Sequence, residues 1–434
     1  VPQGSSHQGY LESIRKKLGS FLPRIPVPQD YSRRVVRPWR DDAYRAHPSV
    51  GLTPRRMLAY LHAADAGAPQ MQFELYSEML QKWPRLAAVE ATRRLALTGL
   101  DWEISPDTLA AGDRTTARLA GQAADFCRET VGALERFRDV LSCQAAAIGF
   151  GIAVTELVWE DGALVDLVPV PYSRLIADPR EPWRLRVRTE DDPGLGVSLD
   201  DSPAKWIVHR TRSAPGRHFE GGLLRASALL YVAQNLSFKD WLIYSQIAGM
   251  PVRLGRFEPG MPDEDKRQLL EMLAALGTDA AAVVSKNVEV ELLEPRAGDK
   301  PYLPLQEYCN TEVTILWLGQ HLTTDLKGQG SRAAAEIHDR VREDLLVDDI
   351  ADESRSLRRD LLTPLVRARF GDKAPVPVFR RSLIQSVDTK VLADTLAVAV
   401  RDLGLPVPRR WVHRALGIPE PSSDEPVLAP EAST

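Results

Sequence analysis

Two periods divide the apolar positions of this chain. From Leu52 the spacing is helical: Leu52-Thr-Pro-Arg-Arg-Met57 sets a threonine cap before a proline at the first helical position, and Met57, Leu58 and Leu61 follow on one face. A second helix after Pro69 carries Phe73, Leu75, Tyr76, Met79 and Leu80; Trp83-Pro84 breaks or kinks it before the pattern resumes from Leu86 to Leu97. Asp101-Trp-Glu-Ile104 reads as a strand. A third helical stretch runs from Thr116 to Ala147 and stops at Gly149-Phe-Gly151. There the period falls to two, and Ala153 to Trp159, a turn at Glu160-Asp-Gly162 and Ala163 to Val168 predict a hairpin. With further strands at Leu185–Arg188 and Lys205–His209, residues 50 to 220 read as an α+β unit with an antiparallel sheet.

Beyond Gly221-Gly222, a helix from Leu223 to Gln246 has neither glycine nor proline and would extend for about 35 Å. It stops at Gly249-Met-Pro251. A small α/β segment follows, with strand Val252–Leu254, helix Asp263–Leu276 and strand Ala281–Leu293, and then a second helix from Leu303 to Leu322. A polar, glycine-containing loop, Thr323, Thr324, Asp325, Leu326, Lys327, Gly328, Gln329 and Gly330, separates it from a long helix that Ser331 caps and that continues to Leu362, where Pro364 or a nearby glycine disturbs it. Two long helices bracketing a small α/β insert is a distinctive order.

At 434 residues with 44% hydrophobic and 26% charged positions, the chain can bury a sizeable core divided among two or three domains. The formal net charge of −4 argues against a protein that gathers nucleic acid by a cationic surplus, without excluding DNA as a partner. Residues 1 to 45 are basic and proline-punctuated and read as an extended arm, solvated or draped on a partner. The three cysteines, Cys127, Cys143 and Cys309, match neither a disulfide framework nor a zinc site and suit a reducing cytoplasm. The first thirty residues lack the apolar core of a signal peptide, and no run of residues is apolar enough to span a bilayer.

The acidic and basic crowd from Glu336 to Asp360 resembles a nuclease centre only superficially. Asp348, Asp352 and Arg355 or Arg359 fall on one helical face and read as solvated ion pairs, whereas two-metal chemistry draws its carboxylates from several elements. His321 and His338 lack a partner at ligand spacing, and Gly328-Gln-Gly330-Ser331 lacks the lysine-threonine ending of a phosphate-binding loop. No catalytic, cofactor-binding or metal-binding residues are therefore predicted. At the tail, Thr389 to Leu403, a turn, and Arg409 to Leu416 read as a small packing module with Trp411, Val412, Ala415 and Leu416 on its buried side; a DNA-reading motif is the alternative.

In this order, the segments resemble the Mu-like phage portal proteins over nearly the whole chain. The resemblance is carried by Leu52 to Arg56, Thr98 to Ile104, Gly151 to Trp159, Trp206 to His209, Gly221 to Arg225, Lys239 to Trp241 and Gly249 to Pro251. It is most specific from Leu318-Gly-Gln-His-Leu-Thr-Thr-Asp325 through Gly330 to His338, and continues in Leu416 to Pro421 and Glu425 to Leu428. It implies a portal fold of wing, stem, clip and crown, with long stem helices bracketing an α/β clip: an N-terminal arm at 1–45, wing at 46–221, first stem helix at 222–248, clip at 249–301, second stem helix at 302–322, tunnel loop at 323–331, long wing helix at 332–373, and crown and tail at 374–434.

The function implied is a ring, commonly of twelve subunits, at one capsid vertex of a virion assembled in the host cytoplasm, through which double-stranded DNA enters and leaves. Its partners would be further copies of itself, the terminase large subunit, the major capsid protein, scaffold, and a head-tail connector or head-completion protein, with no membrane. A channel should grip phosphates weakly, since each docked lysine or arginine adds salt-sensitive friction. Lys327 in the loop, and Lys239, Arg253, Arg256 and Lys286 in stem or clip, are the candidate DNA contacts. Trp241, Tyr244 and Trp317 would pack between ring neighbours or fill an intrachain core. A DNA-binding regulator and a carboxylate-dependent nuclease are the rival readings.

Overall fold

The predicted start of the first helix is borne out in the computed structural model, which describes residues 34–43, 46–107, 113–211, 216–249, 252–257, 260–275, 288–293, 302–320, 332–382, 389–418 and 420–421. The Thr53 hydroxyl accepts the Arg56 backbone N–H at 3.2 Å and Pro54 opens helix α1, Pro54–Asp65. Helices α2, Gln70–Lys82, and α3, Pro84–Thr98, meet at Trp83, whose extended backbone is what a residue before proline must adopt. The third predicted stretch is two helices, α4, Arg114–Gly132, and α5, Phe137–Phe150.

The chain divides into two compact units, residues 1–99 with 104–379 and residues 100–103 with 380–434. In the larger, the predicted hairpin is present: β2, Ile152–Glu160, pairs antiparallel with β3, Ala163–Pro169, and on its other edge with β7, Trp206–Arg210. A second antiparallel sheet joins β4, Leu175–Ala177, β5, Leu185–Val187, and β6, Val197–Ser198. The core gathers Phe73, Tyr76, Met79, Phe150, Val154 and Trp206 between these sheets and helices α1, α2, α3 and α5. Phe150 stacks on Tyr172 at 4.2 Å between centroids, and Phe73 meets Tyr172 at 4.9 Å.

The glycines at Gly149-Phe-Gly151 and Gly221-Gly222 answer to each other. Gly151 and Gly222 both have positive φ, at 85° and 82°; a Cβ on Gly222 would lie 2.2 Å from the Gly149 carbonyl oxygen, and one on Gly151 2.4 Å from the Gly221 carbonyl carbon. Two backbones touch here, which only glycine permits. The contact fixes the entry of helix α6, Leu223–Gly249, against the end of α5.

After α6 come β8, Val252–Phe257, helix α7, Asp263–Ala275, and β9, Val288–Leu293, with β8 and β9 paired antiparallel from Val252↔Leu293 to Phe257↔Val288. Helix α8, Tyr302–Leu318, and helix α9, Arg332–Leu357, follow. The predicted disturbance near Pro364 takes a definite form: Arg358–Leu362 widens into a π-helical turn before α10, Thr363–Phe370. Pro364 has no N–H to offer Asp360, and the wider turn carries the chain past that missing bond, with the Thr363 hydroxyl donating to the Arg358 carbonyl at 2.7 Å.

In the smaller unit, the Ser382 backbone N–H donates to the Asp101 carbonyl and the Arg381 guanidinium to the Leu100 carbonyl, each at 2.8 Å. These bonds accompany the pairing of β1, Trp102–Ser105, with β10, Val378–Arg381. Helices α11, Thr389–Arg401, and α12, Arg409–Ala415, complete it. Trp411 departs from expectation: it is 49% exposed, while Val412, Ala415 and Leu416 take the more sheltered face of this two-turn helix. Among the described residues no helix is long and apolar enough to cross a membrane.

Candidate functional site

Helices α6 and α8 lie side by side and antiparallel. The start of α6 meets the end of α8, where the Trp317 Nε1–H donates to the Ser227 hydroxyl at 3.1 Å; the far ends meet through the rings of Tyr244 and Tyr302, 6.2 Å apart. The inner faces bury Ala228, Tyr231 and Val232 against Cys309, Val313 and Trp317. Exposed apolar side chains follow along both helices: Leu229, Phe238, Leu242 and Ile243 on α6, and Leu303, Leu305, Tyr308 and Ile315 on α8. All are exposed in the single chain, Leu242 at 52% and Tyr308 at 58%. Between Arg225 and Gly249 the only formal charges are Lys239 and Asp240. So long an apolar surface facing water marks a contact surface and not a solvated helix face.

Of the aromatic residues proposed for packing between neighbours, Trp317 is corrected. It is 1% exposed, its ring closes on Gly149, where a Cβ would come within 2.9 Å of Cη2, and it fills the core of its own chain. Trp241 and Tyr244 are half-buried.

The end of α8 is fixed by a buried clasp. Arg93, from α3, donates from Nε and Nη2 to the two carboxylate oxygens of Asp349 on α9, each at 2.9 Å, and from Nη1 to the Trp317 carbonyl at 2.9 Å. Both side chains are nearly inaccessible, at 5% and 7%. One planar guanidinium thus ties together α3, the C-terminal turn of α8 and the middle of α9, which lie on either side of the 321–331 segment. Gly319, at φ 71°, then turns the chain so closely against α9 that a Cβ would sit 2.5 Å from Val341 Cγ1. The predicted tunnel-loop residues Thr323, Thr324, Asp325, Leu326, Lys327, Gly328, Gln329 and Gly330 lie outside the described residues, as does Lys286.

The other predicted cations are not brought together. Lys239 is exposed on α6, while Arg253 and Arg256 stand three residues apart on β8, paired in register with Leu292 and Glu289. The carboxylate run on α9 is only partly the solvated face expected. Arg355 pairs with Asp352 at 2.6 Å at the surface, but Asp349 and Glu353 are buried. Among the described residues no group of three or more His, Cys, Asp or Glu side chains is placed to hold a metal ion. Burial pushes the thiols of Cys127 and Cys143 up to about 12 and about 11, so neither is a ready nucleophile. His209, whose Nδ1 lies 2.9 Å from the Ser356 hydroxyl, is held down at about 4 by burial and, secondarily, by the charge of Arg359; it is neutral at neutral pH.

Sequence reasoning missed three buried polar contacts, and two had a readable signal. Arg93 occupies a position of the apolar stripe Leu86, Val89, Leu97, where a charge needs a partner. Glu156 sets a charge within the buried run of strand β2; its carboxylate accepts the backbone N–H groups of Val35 and Val36, each at 2.6 Å, and pairs with Lys205 at 3.2 Å. Arg174 donates to Asp42 at 2.8 Å, and Trp39 lies 5.5 Å from the guanidinium carbons of both Arg174 and Arg188. The described part of the predicted arm, residues 34–43, is therefore strapped onto its own chain.

Comparison with known proteins agrees with this arrangement. The family described as portal protein of Mu bacteriophage matches residues 73–418. The portal protein of Escherichia phage Mu is 28% identical over 394 residues, covering 88% of this chain and 74% of that protein. The Mu-like prophage FluMu protein gp29 of Haemophilus influenzae is 28% identical over 399 residues, covering 89% and 74%. Among solved structures, a chain from the virion of a native gene transfer agent particle shares the fold, with a TM-score of 0.51 at 12% identity over 87% of this chain and 97% of that one.

Proposed function

The chain belongs to the family of Mu bacteriophage portal proteins, and from that membership we infer that it is a non-enzymatic ring subunit, twelve to a ring, set at one vertex of a capsid and enclosing the channel for double-stranded DNA. The observation that carries the reading is the exposed apolar surface along α6 and α8, from Leu229 to Ile243 and from Leu303 to Ile315. A symmetric ring repeats one surface pair around its axis and buries such faces between neighbours.

In this reading residues 46–221 form the wing, α6 and α8 the stem, 249–301 the clip, 332–373 the long wing helix and 374–434 the crown and tail. The Arg93 clasp fixes the end of α8, from which the chain enters the 323–331 loop assigned to the bore, and Lys327 would touch phosphates there transiently. Terminase and a connector protein would dock in turn at the clip, and capsid protein and scaffold at the wing. The exposed Lys239 and a formal net charge of −4 fit a channel that lets DNA slide. Negative-stain electron microscopy of the purified protein tests the reading. Rings with a central hole are expected, and a field of monomers or dimers would favour a DNA-binding regulator.

A further inference from the structure

The π-helical turn changes what the α9–α10 rod presents. Through Arg355, Arg358, Arg359 and Arg367 it offers four guanidiniums along one open cleft of about 630 Å³, whose remaining wall includes Val376 and Val378 from the segment that follows. Lysine is absent from this lining. Three of the four arginines are oriented by carboxylates: Arg355 by Asp352, Arg358 by Asp107 and Arg359 by Asp360, each at 2.6 Å. In every pair the carboxylate is the more buried partner, so acid groups lie beneath and guanidinium forks above. Arg358 and Arg359 are held further by the carbonyls of Val376 and Val208. A guanidinium carries five donors, and the named bonds leave donors on each fork for a second acceptor. Widened turns of this kind inside α-helices recur at functional positions.

We propose that this cleft is a docking site for an acidic peptide segment of a partner protein, one in which Asp or Glu side chains alternate with aliphatic ones. The forks suit planar carboxylates bidentately, as the Arg359–Asp360 pair already demonstrates, and Val376 and Val378 offer apolar contact to the intervening residues. A duplex fits less well: its phosphates are spread over a convex rod, whereas these charges converge on a cleft a few side chains wide. The site lies within the larger unit and does not depend on the ring reading.

The test uses the purified protein and a fluorescent peptide of alternating Glu and Val, followed by anisotropy at low and high salt. The peptide should bind at low salt and weaken as salt rises. Arg355→Gln with Arg367→Gln, both on exposed side chains, should lower affinity by about tenfold or more, a loss of about 1.4 kcal/mol. Arg355→Lys, which keeps the charge and loses the fork, should fall between. Matching circular-dichroism melts and unchanged particle size would show that fold and assembly are intact. Failure of the peptide to bind, equal binding by the double variant, or displacement of the peptide by a short DNA duplex would each overturn the proposal, the last in favour of a nucleic-acid site.

Discussion

Replacing Arg93 by methionine keeps most of the aliphatic volume and removes the guanidinium. Asp349, 7% exposed, would lose both of its 2.9 Å bonds to Arg93, and the Trp317 carbonyl would lose its bond from the same side chain. Leaving one partner of a buried ion pair behind costs about 3–5 kcal/mol, because the charge has been desolvated without compensation. Replacing both partners with apolar residues of similar size removes that penalty, so Arg93→Met with Asp349→Leu should recover most of the loss. Urea unfolding of the three proteins supplies the energies, and hydrogen exchange over residues 310–320 and 340–355 reports whether the loosening is local to the end of α8 and the middle of α9. A single variant costing less than about 1 kcal/mol, or a double variant no better than the single, would refute the claim that this clasp fixes the end of α8.

Three further outcomes are expected. His209 sits at about 4 in the fold against 6.5 when free, so the unfolded chain binds the extra proton; the resulting stability is full above pH 6.5 and declines as pH falls toward 4, by roughly 1.4 kcal/mol per unit. His209→Gln should flatten that limb in urea titrations between pH 7 and pH 4, and an unchanged slope would contradict it. Gly222→Ala places a Cβ 2.2 Å from the Gly149 carbonyl oxygen at a positive φ and should leave little folded protein in solubility and circular-dichroism assays. Lys327→Gln should alter DNA packaging or retention in assembled particles without changing particle size, and unaltered retention would remove Lys327 from the channel.

Much of the fold could be read in the sequence because its signals are local. The Thr53-Pro54 start, the Trp83-Pro84 joint, the turn at Asp161-Gly162 and the glycine pair before α6 each record a backbone requirement at its own position. The break between α4 and α5 could not be read: Val131, Phe137, Val140, Leu141 and Gln144 are buried, with Leu134 half-buried between them, so the apolar spacing stays helical across the interruption. The stem pair was visible as two long apolar helices, but their low charge could not say which faces turn inward. Trp317 and Tyr308 look equivalent in sequence and are buried and exposed respectively, because Gly149 makes room for one ring and no described residue covers the other. The clasp joins residues 256 positions apart, and while Arg93 stands out in its stripe, nothing in the crowded acidic run singles out Asp349.

The central claim, that the exposed apolar surface of α6 and α8 is buried between neighbours in a ring, is tested most directly by measuring particle mass for the protein and for Leu242→Lys with Tyr308→Lys. Both positions are more than half exposed in the single chain, so the double variant should fold and melt as the parent does. The parent should have the mass of about a dozen subunits and the variant that of a monomer. Equal masses for the two, at whatever size, would contradict the assignment of this surface as the ring contact.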